Sequence, residues 1–161
     1  SKIAYTLERM TDLGIVHRDL KPKNVMVRDN GEVVLVDFGF AVNYRKPELL
    51  PQGVALGSPR YMAFEYEMFG QLKKNYDVYS LSVILYEYFL GRFIKYTDDL
   101  PVEEPLLVYK DYVKMTGHRM DETVYNSIRN LINAGLEPNY EKRPTMREFR
   151  KSLEFIIRFL H

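Results

Sequence analysis

The sequence predicts a mainly α fold with one small β-hairpin, and three observations carry that expectation. Beyond Asp77 the stretch "VYSLSVILYEYFLG" is apolar nearly all round, as in a helix buried on every side. From Met146 to Leu160, Phe149, Leu153, Ile156, Ile157 and Leu160 recur at helical spacing and form one apolar stripe. Asn30 and Gly31 stand between "NVMVRD" and "EVVLVDFG", and turn residues between two β-branched runs mark a hairpin.

The elements follow in chain order. Ile3, Leu7 and Met10, at four- and three-residue spacing, predict a first helix that Gly14 ends. No capping box precedes it, so the chain is expected to begin inside a larger domain. Next, "IVHRDLKPKNVMV" carries two short β-branched runs around a polar loop. With the Asn-Gly turn, this places the polar loop and Asp37 at the ends of short paired strands. Residues 39–60 are rich in Pro and Gly without periodicity, and a long irregular loop in a compact domain is more often functional than incidental. Gly91 is the expected end of the buried helix, and further helices are expected over about Leu106 to Met115 and from Glu122 to Ala134. No repeat, low-complexity tract or linker interrupts the chain, so residues 1–161 read as one unit.

Composition bounds the partners. At 161 residues and 46% hydrophobic, the chain has the size and the apolar content to bury a core. Lys plus Arg (23) and Asp plus Glu (22) nearly cancel to a net charge of +1, which gives no electrostatic footprint for nucleic acid or an anionic membrane. There is no cysteine, hence no disulfide framework and no thiolate metal site, and His17, His118 and His161 are scattered. No stretch approaches the roughly 20 apolar residues of a membrane span, and the first residues are not of signal-peptide type. A cytoplasmic location is expected, with a nuclear one also compatible.

The chemistry concentrates in "HRDLKPKN", His17 to Asn24, and in "VDFGFA" about a dozen residues later. Phosphoryl transfer requires positioning and charge neutralisation rather than covalent chemistry. An acceptor hydroxyl needs a carboxylate, magnesium needs oxygen ligands, and the transferring group needs a cation. Asp19 can accept the hydroxyl proton, Lys21 can meet the γ-phosphate, and Asn24 and Asp37 are hard oxygen donors suited to Mg²⁺. Gly39 lets the backbone turn after Asp37.

The motifs "HRDLKPKN", "DFG", "GSPRYMAFE", "DVYSLSVILYE" and "RPT", in this order, resemble the C-terminal lobe of eukaryotic-type protein kinases over essentially the whole chain. The resemblance implies the C-lobe of a protein-kinase-like fold, α+β overall, acting with ATP and Mg²⁺. It implies Asp19 as the catalytic-loop aspartate, Asn24 and Asp37 as metal ligands, and Lys21, Asn24, Asp37 and Met26 as nucleotide contacts. His17 and Phe38 would belong to the packed spine beneath the site. The Lys-Pro pair after Leu20 resembles the serine/threonine branch, since tyrosine kinases usually carry Ala-Ala-Arg or a variant there. Ser58 stands where the family usually has threonine, and it is expected to bond both Asp19 and Lys21.

Glu65 is expected to pair with Arg143, and Asp77 to hold the catalytic-loop backbone. Phe64, Tyr79 and Ser82 replace the family's more usual proline, tryptophan and glycine. Arg18 matches an arginine that normally meets a phosphorylated loop, yet from Asp37 to Glu65 the only Ser or Thr is Ser58. Arg18 is therefore expected to meet a fixed carboxylate such as Glu48, unless Tyr44 is the modified residue. The family's N-terminal lobe, with its glycine-rich loop, strand lysine and helical glutamate, has no counterpart here. That lobe is an expected partner, in cis or in trans, alongside a protein substrate. One alternative is a catalytically silent kinase-like lobe serving as a protein-binding scaffold. Another is a small-molecule kinase of the aminoglycoside type, against which "GSPRYMAFE" and Arg143 argue.

Overall fold

The computed structural model describes residues 1–46, 55–90, 96–97, 100–101, 113–114, 117 and 119–159. Among them are five α-helices and three two-stranded antiparallel sheets. Helix α1, Lys2–Asp12, has Ser1 at its N-cap without a side-chain cap bond. It buries Ala4, Leu7 and Glu8, with Ile3 and Met10 packed at the edge of the core.

Strand β1, Ile15–Val16, follows at once, and the polar loop leads from it into β2, Val25–Val27, and β3, Val33–Leu35. The β2–β3 register is Val25↔Leu35, Met26↔Val34 and Val27↔Val33. The hairpin expected at Asn30-Gly31 is therefore present, but its connection is longer than the dipeptide. Arg28 N–H still donates to the Glu32 carbonyl at 2.9 Å, and Gly31, at φ +77°, closes the turn onto the Arg28 carbonyl at 2.8 Å.

The irregular stretch after Asp37 hides an element that periodicity did not reveal. Strand β4, Val42–Asn43, pairs with β1 through Ile15↔Asn43 and Val16↔Val42, and two residues are too few to show alternation. Helix α2, Phe64–Phe69, was likewise unannounced and ends on the left-handed Gly70. Glu48, a proposed partner for Arg18, lies outside the described residues.

Helix α3, Tyr76–Leu90, runs through the centre. It is buried on every side only from Tyr76 to Val83; beyond that, Ile84, Leu85, Glu87 and Phe89 are half-buried and Tyr88 is 82% exposed. The all-round burial expected from its composition thus fails in its second half, because hydrophobicity alone does not say where neighbours end. Strands β5, Tyr96–Thr97, and β6, Leu100–Pro101, form a short pair. Gly91 and nearly all of the helix expected over 106–115 lie outside the described residues.

Helix α4, Glu122–Gly135, starts on an Asp121 cap whose Oδ1 accepts from the N–H groups of Thr123 and Val124 at 2.8 and 3.0 Å. Helix α5, Met146–Ile157, starts on a capping box of Thr145 and Glu148. It ends before Leu160, the last member of the expected stripe, which lies outside the described residues; Phe149 and Ile156 are buried and Leu153 and Ile157 half-buried.

These helices pack as one body, α5 against α1 and α4 against both α3 and α5. Leu7, Leu20, Tyr76, Ile132, Met146 and Phe149 are its largest fully buried side chains. Each such aliphatic or aromatic side chain contributes about 1.5–3 kcal/mol. The tightest approach is at Gly135. A Cβ there would collide with the Ser82 hydroxyl and come within 2.9 Å of Phe149, so α4 reaches α3 only because the residue is glycine. Ser82, in turn, folds its hydroxyl back onto the Val78 carbonyl at 2.8 Å.

Candidate active site

The site begins with a buried carboxylate. Asp77, in the first turn of α3 and 1% exposed, accepts the backbone N–H groups of His17 at 2.7 Å and Arg18 at 3.1 Å. Burial pushes the Asp77 carboxyl above its ordinary range, against those two donors, which favour its charged form. Arg18 has φ +67°, a left-handed conformation uncommon outside glycine, and the Asp77 bonds are what hold it there. Tyr76 adds a third tie, its hydroxyl donating to the Arg18 carbonyl at 3.4 Å.

This frame turns Asp19 inward, 2% exposed, toward a closed set of donors. Lys21 Nζ donates to Asp19 Oδ2 at 2.6 Å and to Ser58 Oγ at 3.0 Å, while Ser58 Oγ donates to Asp19 Oδ1 at 2.7 Å. Asn24 Nδ2 donates to the Asp19 carbonyl at 2.8 Å and to Oδ2 at 3.3 Å. Burial works against the charged carboxylate, yet the bonds from Lys21 and Ser58 and the lysine charge outweigh it. The Asp19 carboxyl is held below its usual range, ionised at neutral pH.

Ser58 reaches Asp19 because the residue before it lies against the polar loop. At Gly57, φ is +130° and a Cβ would sit 2.8 Å from the Arg18 carbonyl, so only glycine admits this approach. Beyond Ser58, Tyr61 fastens the segment to α3: the Ser80 hydroxyl donates to its carbonyl at 2.7 Å, and its own hydroxyl donates to Glu87 at 2.9 Å. Burial raises both Tyr61 and Glu87 above their ordinary values. Glu65, at the start of α2, forms a two-pronged pair with Arg143 at 2.7 and 2.9 Å, each residue under 5% exposed. Arg143 also donates to the Glu137 carbonyl and lies 5.2 Å over the Tyr79 ring, which here takes the place of tryptophan.

His17 is fully buried, with Nε2 3.1 Å from the Val36 carbonyl. A carbonyl only accepts, so Nε2 carries the hydrogen and Nδ1 is without a partner among the described residues. Phe38 meets the His17 ring edge-on at 5.2 Å but remains 49% exposed. The two rings expected to belong to a packed spine are thus in contact, with Phe38 half-exposed.

Asp37 stands apart from the closed set. It is exposed, has φ +61°, and its carboxylate is 3.4 Å from the Gly39 N–H. Asn24 and Asp37 are brought to one edge by the bond from Val36 N–H to the Asn24 carbonyl at 2.9 Å. Met26, on β2, is 53% exposed. Among the described residues no group of three His, Cys, Asp or Glu is placed to hold a metal. The oxygens available are those of Asp37 and the Asn24 amide, whose nitrogen is committed to Asp19, and they fit an ion that takes one or two protein ligands and its remainder from phosphate and water, as Mg²⁺ does.

Arg18 is buried and points its guanidinium at the Tyr66 hydroxyl, 3.3 Å away, with Phe40 6.0 Å below it; Nε is unpaired among the described residues. Tyr44 does not reach this cluster: its hydroxyl donates to the Thr11 carbonyl at 3.4 Å. Tyr66, which also accepts the Leu56 N–H at 3.2 Å, went unnoticed in the sequence, as did Gly57. The glycine before Ser58 was the available signal; a single tyrosine after Glu65 carries none.

The protein kinase domain matches residues 1–154 of this chain. The chain belongs to the protein kinase domain family. Its mostly helical structure with small antiparallel sheets fits a protein-kinase-like fold. It is 38% identical over 78 residues, 48% of the chain, to the serine/threonine-protein kinase PknL of Mycobacterium tuberculosis. It is 30% identical over 145 residues, 88% of the chain, to the dual specificity protein kinase shkC of Dictyostelium discoideum. It is 30% identical over 149 residues, 86% of the chain, to the serine/threonine-protein kinase CHK1 of Saccharomyces cerevisiae. The matched regions span 20%, 28% and 27% of those proteins' lengths. Protein kinases in general use ATP and Mg²⁺. Among the described residues no helix is long and apolar enough to cross a membrane.

Proposed function

We propose that residues 1–161 are the C-terminal, helical lobe of a protein serine/threonine kinase, and that Asp19 is its catalytic base. The observation that carries this reading is the closed set around Asp19: one buried, ionised carboxylate with Lys21, Asn24 and Ser58 all within hydrogen-bond reach. ATP with Mg²⁺ supplies the phosphoryl group and neutralises its charge. Asp19 orients the acceptor hydroxyl and takes its proton. Lys21 and Ser58 fix the carboxylate, and the lysine ammonium offers a cation to the transferring group. Asn24, through its amide oxygen, and Asp37 are the metal ligands, and Met26 contacts the nucleotide.

The substrate is a protein. Its support is the segment from Gly57 to Glu65, fastened to α3 by Tyr61 and to the loop before α5 by Glu65 and Arg143, which forms a fixed wall beside Asp19. The nucleotide-holding lobe is the second partner. Met26 on β2 and Phe38 beside Asp37, at 53% and 49% exposure, leave apolar side chains open for that lobe to cover. A cytoplasmic location agrees with this reading.

The test is Asp19→Asn in the full-length gene product. Phosphate transfer to a serine/threonine peptide library should fall about 10²–10⁴-fold while nucleotide affinity is retained. Near-normal turnover in the variant would remove Asp19 from the role of base, and no transfer by the unaltered protein would favour the scaffold alternative.

A further inference from the structure

Helices α4 and α5 leave an open cleft of about 530 Å³ between them, and its lining divides by chemistry. Leu131 from α4 and Phe149 and Ile156 from α5 are buried and form an apolar floor, while the exposed Ala134 makes a low rim on the α4 side. Phe155 stands at the mouth, 60% exposed, and meets Phe159, in the turn after α5 and 62% exposed, edge-on at 4.9 Å. An exposed aromatic beside an open apolar cleft puts a knob and a hole on one face. Glu148, Lys151 and Ser152 complete the α5 side of the cleft and are exposed. With Phe155 they recur at helical spacing, so one stripe of α5 carries an acid, a base, a small residue and an aromatic in turn. None of these residues belongs to the set around Asp19.

We propose that this face docks a second copy of the chain, the two α5 helices lying antiparallel about a two-fold axis beside Ser152. A two-fold contact requires a surface that is complementary to itself. Here an axis between Lys151 and Ser152 brings Phe155 of each copy level with Glu148 of the other, over the cleft floored by Phe149. Lys151 of each copy then lies within one turn of Glu148 of the other, so each charge finds its opposite. A partner of one sign would be repelled by one member of that pair, whereas a second copy satisfies both. Glu148 keeps its charge for this contact, because the bonds from Thr145 to its Oε2 hold the carboxyl below its ordinary range. Ser152 is short, and helix axes approach to about 8–10 Å according to the side chains between them, so the two helices can close until Phe155 reaches the floor.

The experiment uses the full-length gene product in sedimentation equilibrium, from low to high micromolar protein. The expected mass rises with concentration to twice that of the monomer. Phe155→Glu sets a charge against the partner's apolar cleft and should hold the mass at that of the monomer throughout, with the melting temperature unchanged because the side chain is exposed. Lys151→Glu faces Glu148 of the other copy with a like charge and should weaken pairing about tenfold or more. Ser152→Cys tests the axis. Residues 1–161 contain no cysteine, and a disulfide needs Cα atoms within about 7 Å, so mild oxidation should trap a covalent dimer in this variant and not in the unaltered protein. A monomer at every concentration would overturn the proposal and leave the cleft to a different helix or to a further segment of the same protein. A dimer that Phe155→Glu leaves intact would place the contact on another face and overturn it too. A dimer sensitive to Phe155→Glu but not trapped at position 152 would overturn the two-fold arrangement.

Discussion

Asp19 and Asp37 lie 18 positions apart and are held in opposite ways. Asp19 is 2% exposed, and both its carboxylate oxygens are taken by Lys21, Ser58 and Asn24. Asp37 is exposed, and its carboxylate meets the N–H of Gly39 at 3.4 Å. The same division runs through the surroundings. Behind Asp19 stand two buried devices, the Asp77 carboxylate under the His17–Arg18 backbone and the Glu65–Arg143 pair. Next to Asp37 stands Phe38, 49% exposed, and Met26 on β2 is 53% exposed. The contrast fits the roles proposed for them: a base is in place before its substrate arrives, so the chain itself would fix it, whereas a metal ligand is completed by what it binds, so the chain would leave it open. Substitutions on the Asp19 side are accordingly expected to act on stability, and those on the Asp37 side on binding.

The largest stability effect is expected at Glu65. Glu65→Gln leaves the Arg143 guanidinium buried without its counter-charge, and breaking a buried pair from one side costs about 3–5 kcal/mol. Urea unfolding would measure it. A loss under about 1 kcal/mol, the range of exposed pairs, would show that Tyr79 and the Glu137 carbonyl suffice to hold Arg143.

Gly135→Ala comes next. The added methyl meets the Ser82 hydroxyl and Phe149, and overpacking of this kind costs about 1–3 kcal/mol. The double variant with Ser82→Gly should recover much of the loss, because the colliding hydroxyl is then gone. If the two losses simply added, the collision would not be their cause.

How far the sequence shows this division depends on the kind of signal each part carries. The helices α1, α4 and α5 are legible because their buried faces repeat at helical spacing, whereas the caps Asp121 and Thr145 that start α4 and α5 appear only in the structure. The β2–β3 hairpin is legible from its turn. Strand β4 and helix α2 are not, being two and six residues long and held by what they meet: β1 for the strand, Arg143 for the helix. Exposure also goes unseen. Nothing in "VDFGFA" says that Phe38 touches His17 yet leaves its other side open, and nothing in "YEYFL" says that Tyr88 faces outward while Tyr86 is buried. The polar set around Asp19 could be named because its residue types are few and close in sequence. Gly57 and Tyr66, which set the distance from Ser58 to Asp19 and the direction of Arg18, act through backbone approach and a single hydroxyl, and neither leaves a pattern.

Asp37→Asn sharpens the comparison from the open side. Asparagine tolerates φ +61° at least as well as aspartate, and the carboxylate has no buried donor to lose. Stability should change by no more than about 0.5 kcal/mol, whereas Mg²⁺-dependent nucleotide binding should weaken. Isothermal titration of the full-length gene product with and without Mg²⁺ would separate the two. An unchanged Mg²⁺-dependent affinity would remove Asp37 from the metal site.

The smallest effect is expected where charges meet at the edge of the core. Glu8, on α1, receives Arg147 at 2.9 Å and is also bonded by Arg150, both from α5. The bond from Arg150, set against partial burial and helped by Arg147, holds the Glu8 carboxyl below its ordinary 4.5. A carboxyl depressed in the folded state adds stability that is fully present above the ordinary value and is lost as the pH falls through the folded one. The melting temperature of the unaltered protein should therefore exceed that of Glu8→Gln at neutral pH, and the gap should narrow as the pH drops below 4.5. High salt should narrow it as well, because Arg147 faces water. A gap that stayed constant from neutral to acid pH would mean that Glu8 joins α1 to α5 through its packing and hydrogen bonds, with its charge contributing nothing.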